Sequence, residues 1–160
     1  MTPYIRPAVF SDCAYIAARM KRPDVEEVLA SHGHSPIDAM QLSFGSSEMA
    51  GTVCSADHEP VLMYGVSGFV PPDTGSPWML STALIYRADM ARFFLRGTAA
   101  VIGRMHDRYP ILIQHVDARH SHALRWMLWA GFRIDKLEAQ WGVEKIPFFR
   151  LSRIRSNRDV

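Results

Sequence analysis

The order of apolar and polar positions is clearest between residues 110 and 132. Pro110 precedes the β-forming side chains Ile111, Leu112, Ile113 and Val116, and it takes the first strand position, where its missing N–H does least harm. Apolar residues then recur at Ala123, Leu124, Met127, Leu128 and Ala130, the spacing of a helix. Gly131 stands where a left-handed cap is wanted, and Phe132 opens another extended run. The segment predicts strand, short loop, helix, strand.

The same reading covers the rest of the chain. Tyr4 to Arg6 predicts a short strand, and Ser11 is expected to cap a helix running to about Met20. Pro23 or Asp24 opens a helix to about Ser31, with Val25, Val28 and Leu29 on one face and Gly33 as its stop. Ser35 and Pro36 read as the cap and first turn of a further helix through Met40 to about Phe44, and residues 45–47 as a loop. Thr52 to Ala56 and Val61 to Phe69 predict a hairpin around the four-residue loop 57–60. Val70 to Pro77, rich in Pro and Gly, is the strongest loop signal, and Trp78 to Ile85 is apolar enough for a central strand. A helix from about Met90 to Tyr109 follows. After Phe132, Arg133 to Trp141 and Phe148 to Ile154 are extended runs joined through Gly142 to Pro147. The order β-α-α-β-β-β-α-β-α-β-β predicts an α+β fold: a mixed, mostly antiparallel sheet with helices on both faces. One domain is expected over residues 1–154, with a basic tail at 155–160.

Composition narrows the classes. Apolar residues at 48% and charged residues at 21% are globular values. A net charge of +2 gives no argument for nucleic-acid binding, and the late arginines Arg150, Arg153, Arg155 and Arg158 read as a solvated tail. Cys13 and Cys54 make no disulfide framework and suit a reducing compartment. No basic-then-apolar leader and no membrane-length apolar run is read, so no membrane association is expected.

With Ala123 and the Gly131–Phe132 pair in place, the 110–132 segment resembles the last β-α-β unit of the GNAT acyltransferase superfamily. His120 falls where that family usually carries Asn, and Met127 where a Tyr often acts as general acid. The resemblance implies the same element order over nearly the whole chain. It also implies acetyl-CoA pyrophosphate on backbone N–H groups at the start of the helix after the fourth strand, under the pattern Arg or Gln, two residues, Gly, one residue, Gly or Ala. The apparent match, Phe94 to Ala99, reads as a decoy. Helical periodicity through Ala91, Phe94, Leu95, Thr98, Val101, Ile102 and Met105 already runs across it, and Asp89 is a better N-cap. The tip is then Tyr86 to Arg92, without glycine. Arg87, Met90, Ala91 and Arg92 are the candidate cofactor-binding residues; Met90 and Arg92 would crowd a pyrophosphate, whereas Arg87 and Arg92 could attract an anion. The Trp78–Ile85 run offers no carboxylate as general base, only Ser81 and Thr82. If the chain is a transferase, Ser81 and His120 are its candidates. His115, His120 and His122 lack a third ligand at metal spacing, so no metal is assigned, and they are expected to hydrogen-bond locally.

A narrower likeness lies in Ile5-Arg6-Pro7, in Gly75 to Trp78 before a central strand, in the loop His120 to Arg125, and in Phe148 to Leu151. These are similar to small proteins of short-tailed phages that share a GNAT-like frame and are associated with virion assembly and internal virion proteins. That resemblance implies a protein made in the host bacterial cytoplasm and acting in virion assembly or as a virion component. It would contact other phage virion proteins or itself, without cofactor or catalysis. The alternative is an acetyl-CoA-dependent N-acyltransferase with a degenerate motif. From Ala123 to Ala130 only Arg125 is polar, so Trp126 or Trp129 is expected at the surface as part of a contact patch, unless both indoles lie under the C-terminal strands.

Overall fold

The structure is a computed structural model, described for residues 1–68 and 71–156. Its elements are β1 (Tyr4–Pro7), α1 (Phe10–Ala17), α2 (Arg22–His32), α3 (Pro36–Ser46), β2 (Ser47–Cys54), β3 (Pro60–Gly68) and β4 (Thr74–Ser81). A short 3-10 turn (Ala83–Tyr86) leads into α4 (Ala88–Arg108), followed by β5 (Ile111–Asp117), α5 (Ser121–Trp129), β6 (Arg133–Trp141) and β7 (Ile146–Ile154). The α+β class holds, and the three helices read between β1 and β2 are all present, one more than the order β-α-α-β counts. One seven-stranded sheet runs β1-β2-β3-β4-β5-β7-β6, and every neighbouring pair is antiparallel except β4 and β5.

Side-chain alternation on β3 sends neighbours to opposite faces. Leu62, Tyr64 and Val66 join Ile102, Met105 and Met127 in a core beneath α4 and α5. Met63 joins Cys13, Ile16, Ala39 and Met40 beneath α1 and α3. Helices therefore cover both faces.

Several boundaries differ from the sequence expectation. Val9, not Ser11, is the N-cap of α1; Asp12 replaces a capping side chain by accepting from the Val9 N–H at 3.2 Å while holding Arg6 through two bonds of 2.7 Å. Ser35 caps α3 as expected, accepting from the Asp38 N–H at 3.2 Å. Residues 45–47 are not a loop: α3 continues through Ser46 and β2 starts at Ser47, whose hydroxyl donates to the Ser43 carbonyl at 2.7 Å. β2 accordingly starts before Thr52 and ends at Cys54. Thr74 to Pro77 belong to β4, because an edge-to-edge ladder with β3 outweighs their turn chemistry. The same strand stops at Ser81, where Thr82 caps the 3-10 turn, so Ala83 to Ile85 are not strand. Phe69, the expected end of the second hairpin strand, Val70 and residues 157–160 of the expected tail, Arg158 among them, lie outside the described residues. Gly33 and Gly131 end their helices at φ 71° and 92°, conformations that glycine adopts without a Cβ penalty.

Candidate functional site

The parallel pair of strands is where the sheet opens. β4 and β5 pair at Thr74–Ile111 and Gly75–Leu112 and then diverge. Pro77 fixes which backbone groups face the opening. It lies opposite Val66 on β3 and has no N–H, so it points its carbonyl away from β3; Met79 and Ser81 share its orientation by the period of two. Two of these three positions are occupied by the chain itself. Gln114 on β5 donates to the Pro77 carbonyl at 2.5 Å. The Ser81 carbonyl accepts from the Lys21 N–H at 2.9 Å, and the Ser81 N–H donates to Asp24 Oδ2 at 2.9 Å. Met79 is left as the position whose main chain faces the cleft.

The tip of α4 is the second part. Its N-cap is Arg87, with no side-chain cap bond, so Asp89 is not the N-cap but a residue of the first turn. The Asp89 carboxylate takes the Arg87 guanidinium at 2.7 and 3.0 Å. That pairing, helped by the backbone N–H groups of Met90 and Asp89, brings its pKa down to about 2. A protein carboxylate thus stands in the first turn, beside the donors that an external anion would need. Met90 is fully buried in the core and does not crowd the tip, a correction to the expectation; its side chain fills the space under the first turn. Arg92 is exposed, and Ala91 lines the cavity described next. Gly97 is interior to α4, well beyond the tip, and the apparent motif at Phe94 to Ala99 is mid-helix.

Between α4, α5 and the sheet lies a cavity of about 300 Å³, partly open, walled by side chains such as Tyr64, Phe94, Val101, Trp126 and Met127. One end of the cavity is polar, with Lys21, Asp24, Glu27, Ser81 and His120. Lys21, Asp24 and His120 are all buried, at 9%, 3% and 9% exposure. The Lys21 ammonium pairs with Asp24 Oδ1. His120 Nε2 approaches the same oxygen at 3.9 Å, and its Nδ1 meets Glu27 Oε2 at 3.3 Å. Glu27 Oε2 also accepts the Asp117 N–H at 3.0 Å.

Ser81 and His120, the two catalytic candidates from the sequence, are thus brought to one place, but with Asp24 between them. Ser81 Oγ donates to Asp24 Oδ2 at 3.3 Å. A carboxylate between hydroxyl and imidazole is not a relay in which the imidazole takes the hydroxyl proton. The carboxylates that β4 lacks come from α2, which sequence reasoning missed. Asp24 and Glu27 are three apart on one helix face, and that spacing was the available signal. His120 does not bond locally as expected: its partners lie on α2. His115 points to the opposite face of the sheet and stacks on Trp141 with centroids 4.2 Å apart. Among the described residues no group of three or more His, Cys, Asp or Glu is placed to hold a metal ion. Trp126 packs on Phe94 and donates to Thr98 Oγ1 at 3.3 Å, while Trp129 is 62% exposed.

No protein-family model matches the sequence, and no curated protein matches it. Solved structures match its fold. A GNAT superfamily phosphinothricin acetyltransferase from Sinorhizobium meliloti, in complex with AcCoA, superposes with a TM-score of 0.73 at 14% identity, over 96% of this chain and 89% of that one. A GCN5-related N-acetyltransferase from Kribbella flavida gives 0.69 at 15%, over 96% and 98%. The ribosomal-protein-S5-alanine acetyltransferase from Vibrio fischeri gives 0.66 at 13%, over 98% and 95%. The chain has the fold of the GNAT acetyltransferases. Among the described residues no helix is long and apolar enough to cross a membrane.

Proposed function

We propose that this chain uses the GNAT frame for binding rather than for acetyl transfer from CoA, as a phage-encoded protein of virion assembly or of the virion itself. It would act through contact with other virion proteins or with its own copies. The observation that carries this reading is Asp89, whose carboxylate, paired with Arg87, puts a protein anion in the first turn of α4 beside the N–H donors that an external anion would need. The bonds of Gln114 and α2 to the cleft edge of β4 support it. The phage setting rests on the sequence resemblance alone; the comparisons with solved structures speak for the acyltransferase alternative.

That second reading, an acetyl-CoA-dependent N-acyltransferase with a degenerate motif, is favoured by the fold and by one local feature. His120, oriented by Glu27 at the polar end of an apolar cavity, is placed to accept a proton. Calorimetry separates the two. Each charge-assisted bond to a pyrophosphate is worth roughly 1.5–3 kcal/mol, so loss of two weakens binding by about two to four orders of magnitude. Acetyl-CoA at physiological salt is expected to bind no tighter than about millimolar. A micromolar dissociation constant lost on Arg92→Ala would put the acyltransferase first. Absence of the chain from both the particles and the assembly intermediates of the phage encoding it would remove the virion role.

A further inference from the structure

We propose that the cavity beneath α4 is a binding site for a neutral apolar molecule carrying one hydroxyl group. Three features lead there. The cavity, at about 300 Å³, is about twice the size of an engineered apolar cavity that takes up benzene, which gives room for a chain of about eight carbons. Its walls are almost wholly apolar along α4, where Gly97 contributes no side chain and a Cβ there would meet only Ile5 Cδ1 within 4 Å, at 3.9 Å. Its one polar end presents a donor and an acceptor side by side.

That end selects the head group. The buried Lys21 ammonium has three N–H donors, and Asp24 takes one of them among the described residues. His120 Nε2 stands 3.9 Å from the same Asp24 oxygen, beyond hydrogen-bond reach. A hydroxyl seated beside this pair accepts from Lys21 and donates to His120 Nε2 or to Asp24. A carboxylate or phosphate would meet Asp24 and Glu27 in a desolvated place, and an ammonium would meet Lys21. Either ion gives up its hydration to meet a like charge, so a neutral head is preferred.

The chain carries its own reporters. Met79, Met105 and Met127 line the cavity, whereas Met20, Met40 and Met63 belong to the core on the other face of the sheet. Protein labelled with carbon-13 at the methionine methyls is titrated separately with 1-octanol, octanoate and octylamine. Octanol is expected to shift the three cavity methyls saturably, with an affinity at least about tenfold above those of the two ions. Gly97→Leu, which fills the cavity from α4, is expected to weaken octanol binding by about tenfold or more while the other methyl signals persist. The proposal is overturned if octanol at about 1 mM shifts none of the three methyls, if Met20, Met40 and Met63 shift equally, or if octanoate or octylamine binds as tightly. Acetyl-CoA, titrated in parallel, reports on the helix tip. Tight acetyl-CoA binding would overturn the proposed function and leave the octanol result to stand or fall by itself.

Discussion

Arg87 and Asp89 close on each other at the first turn of α4, with both guanidinium-to-carboxylate bonds at 3.0 Å or less. In the GNAT resemblance this turn is where backbone N–H groups meet a pyrophosphate. Here an internal anion takes the favourable end of the helix dipole.

The pair has a pH signature. Asp89 titrates at about 2 in the folded chain because Arg87, above all, holds its charged form. An unfolded Asp titrates near 4. A depressed folded value means stability that is present above about pH 4 and lost as pH falls toward 2. The melting temperature of Asp89→Ala should therefore lie below that of the parent by a constant interval from pH 8 to 5. The interval should shrink below pH 4. An interval that changes near pH 6 would show that Asp89 answers to a histidine instead.

Gly97→Ala should be neutral or stabilising, by up to about 1 kcal/mol of helix propensity. The position is helical, and the nearest atom to an added Cβ is 3.9 Å away. Denaturant melts of both proteins measure this. Clear destabilisation would mean that Gly97 is needed for close approach.

The α4 start, and with it the rejection of the Arg96–Gly97 motif, was legible because a run from Ala91 to Met105 keeps one face apolar. Ser35 was legible as a cap because Pro36 follows it. Ser11 and Asp89 were not: each stands at the second position of its helix, where Asp12 rather than Ser11 takes the cap N–H of α1 and Asp89 pairs with Arg87. Thr74 to Pro77 read as a loop because strand pairing with β3 is not encoded locally. The polar end of the cavity was least legible: His120 and its partner Glu27 are 93 residues apart, and only the opening between β4 and β5 brings them together.

A histidine cluster on the other face of the sheet predicts a second pH response. His32 stacks on His34 at 5.4 Å, His115 stacks on Trp141, and His32 meets the same indole edge-on at 6.0 Å. Packing against His34 and Trp141 partly desolvates the His32 ring and pushes its pKa down, although the residue keeps exposed surface, and the neighbouring His34 adds to it. Burial also lowers that of His115; Arg150, Lys136 and His32 add to it, against Glu138. Folded values below the ordinary one of about 6.5 give stability that is complete above that pH. It is lost as pH falls through the depressed values. The melting temperature should drop between pH 7 and 5, ahead of the carboxylates, and the double variant His32→Gln, His115→Gln should flatten that drop. An unchanged slope would assign it to other groups.

The two tryptophans of α5 should part company on mutation. Trp126 is partly buried, tilted against Phe94 with centroids 5.1 Å apart, and its indole N–H is bonded to Thr98. Trp126→Ala enlarges a cavity that is already present and removes the indole bond to Thr98, whose hydroxyl keeps its own bond to the Phe94 carbonyl, so it should cost about 3 kcal/mol. Among the described residues Trp129 stands exposed beside the half-exposed Leu128. Trp129→Ser should change stability by no more than about 0.5 kcal/mol. Any effect it has should therefore appear in association, since an exposed indole is the side-chain type most often found at the centre of contacts. Sedimentation of the two variants, beside denaturant melts, separates these roles. If Trp129→Ser melted as early as Trp126→Ala, its indole would be part of the core. If it changed neither stability nor self-association, the expectation of a contact patch at Trp129 would lose its support.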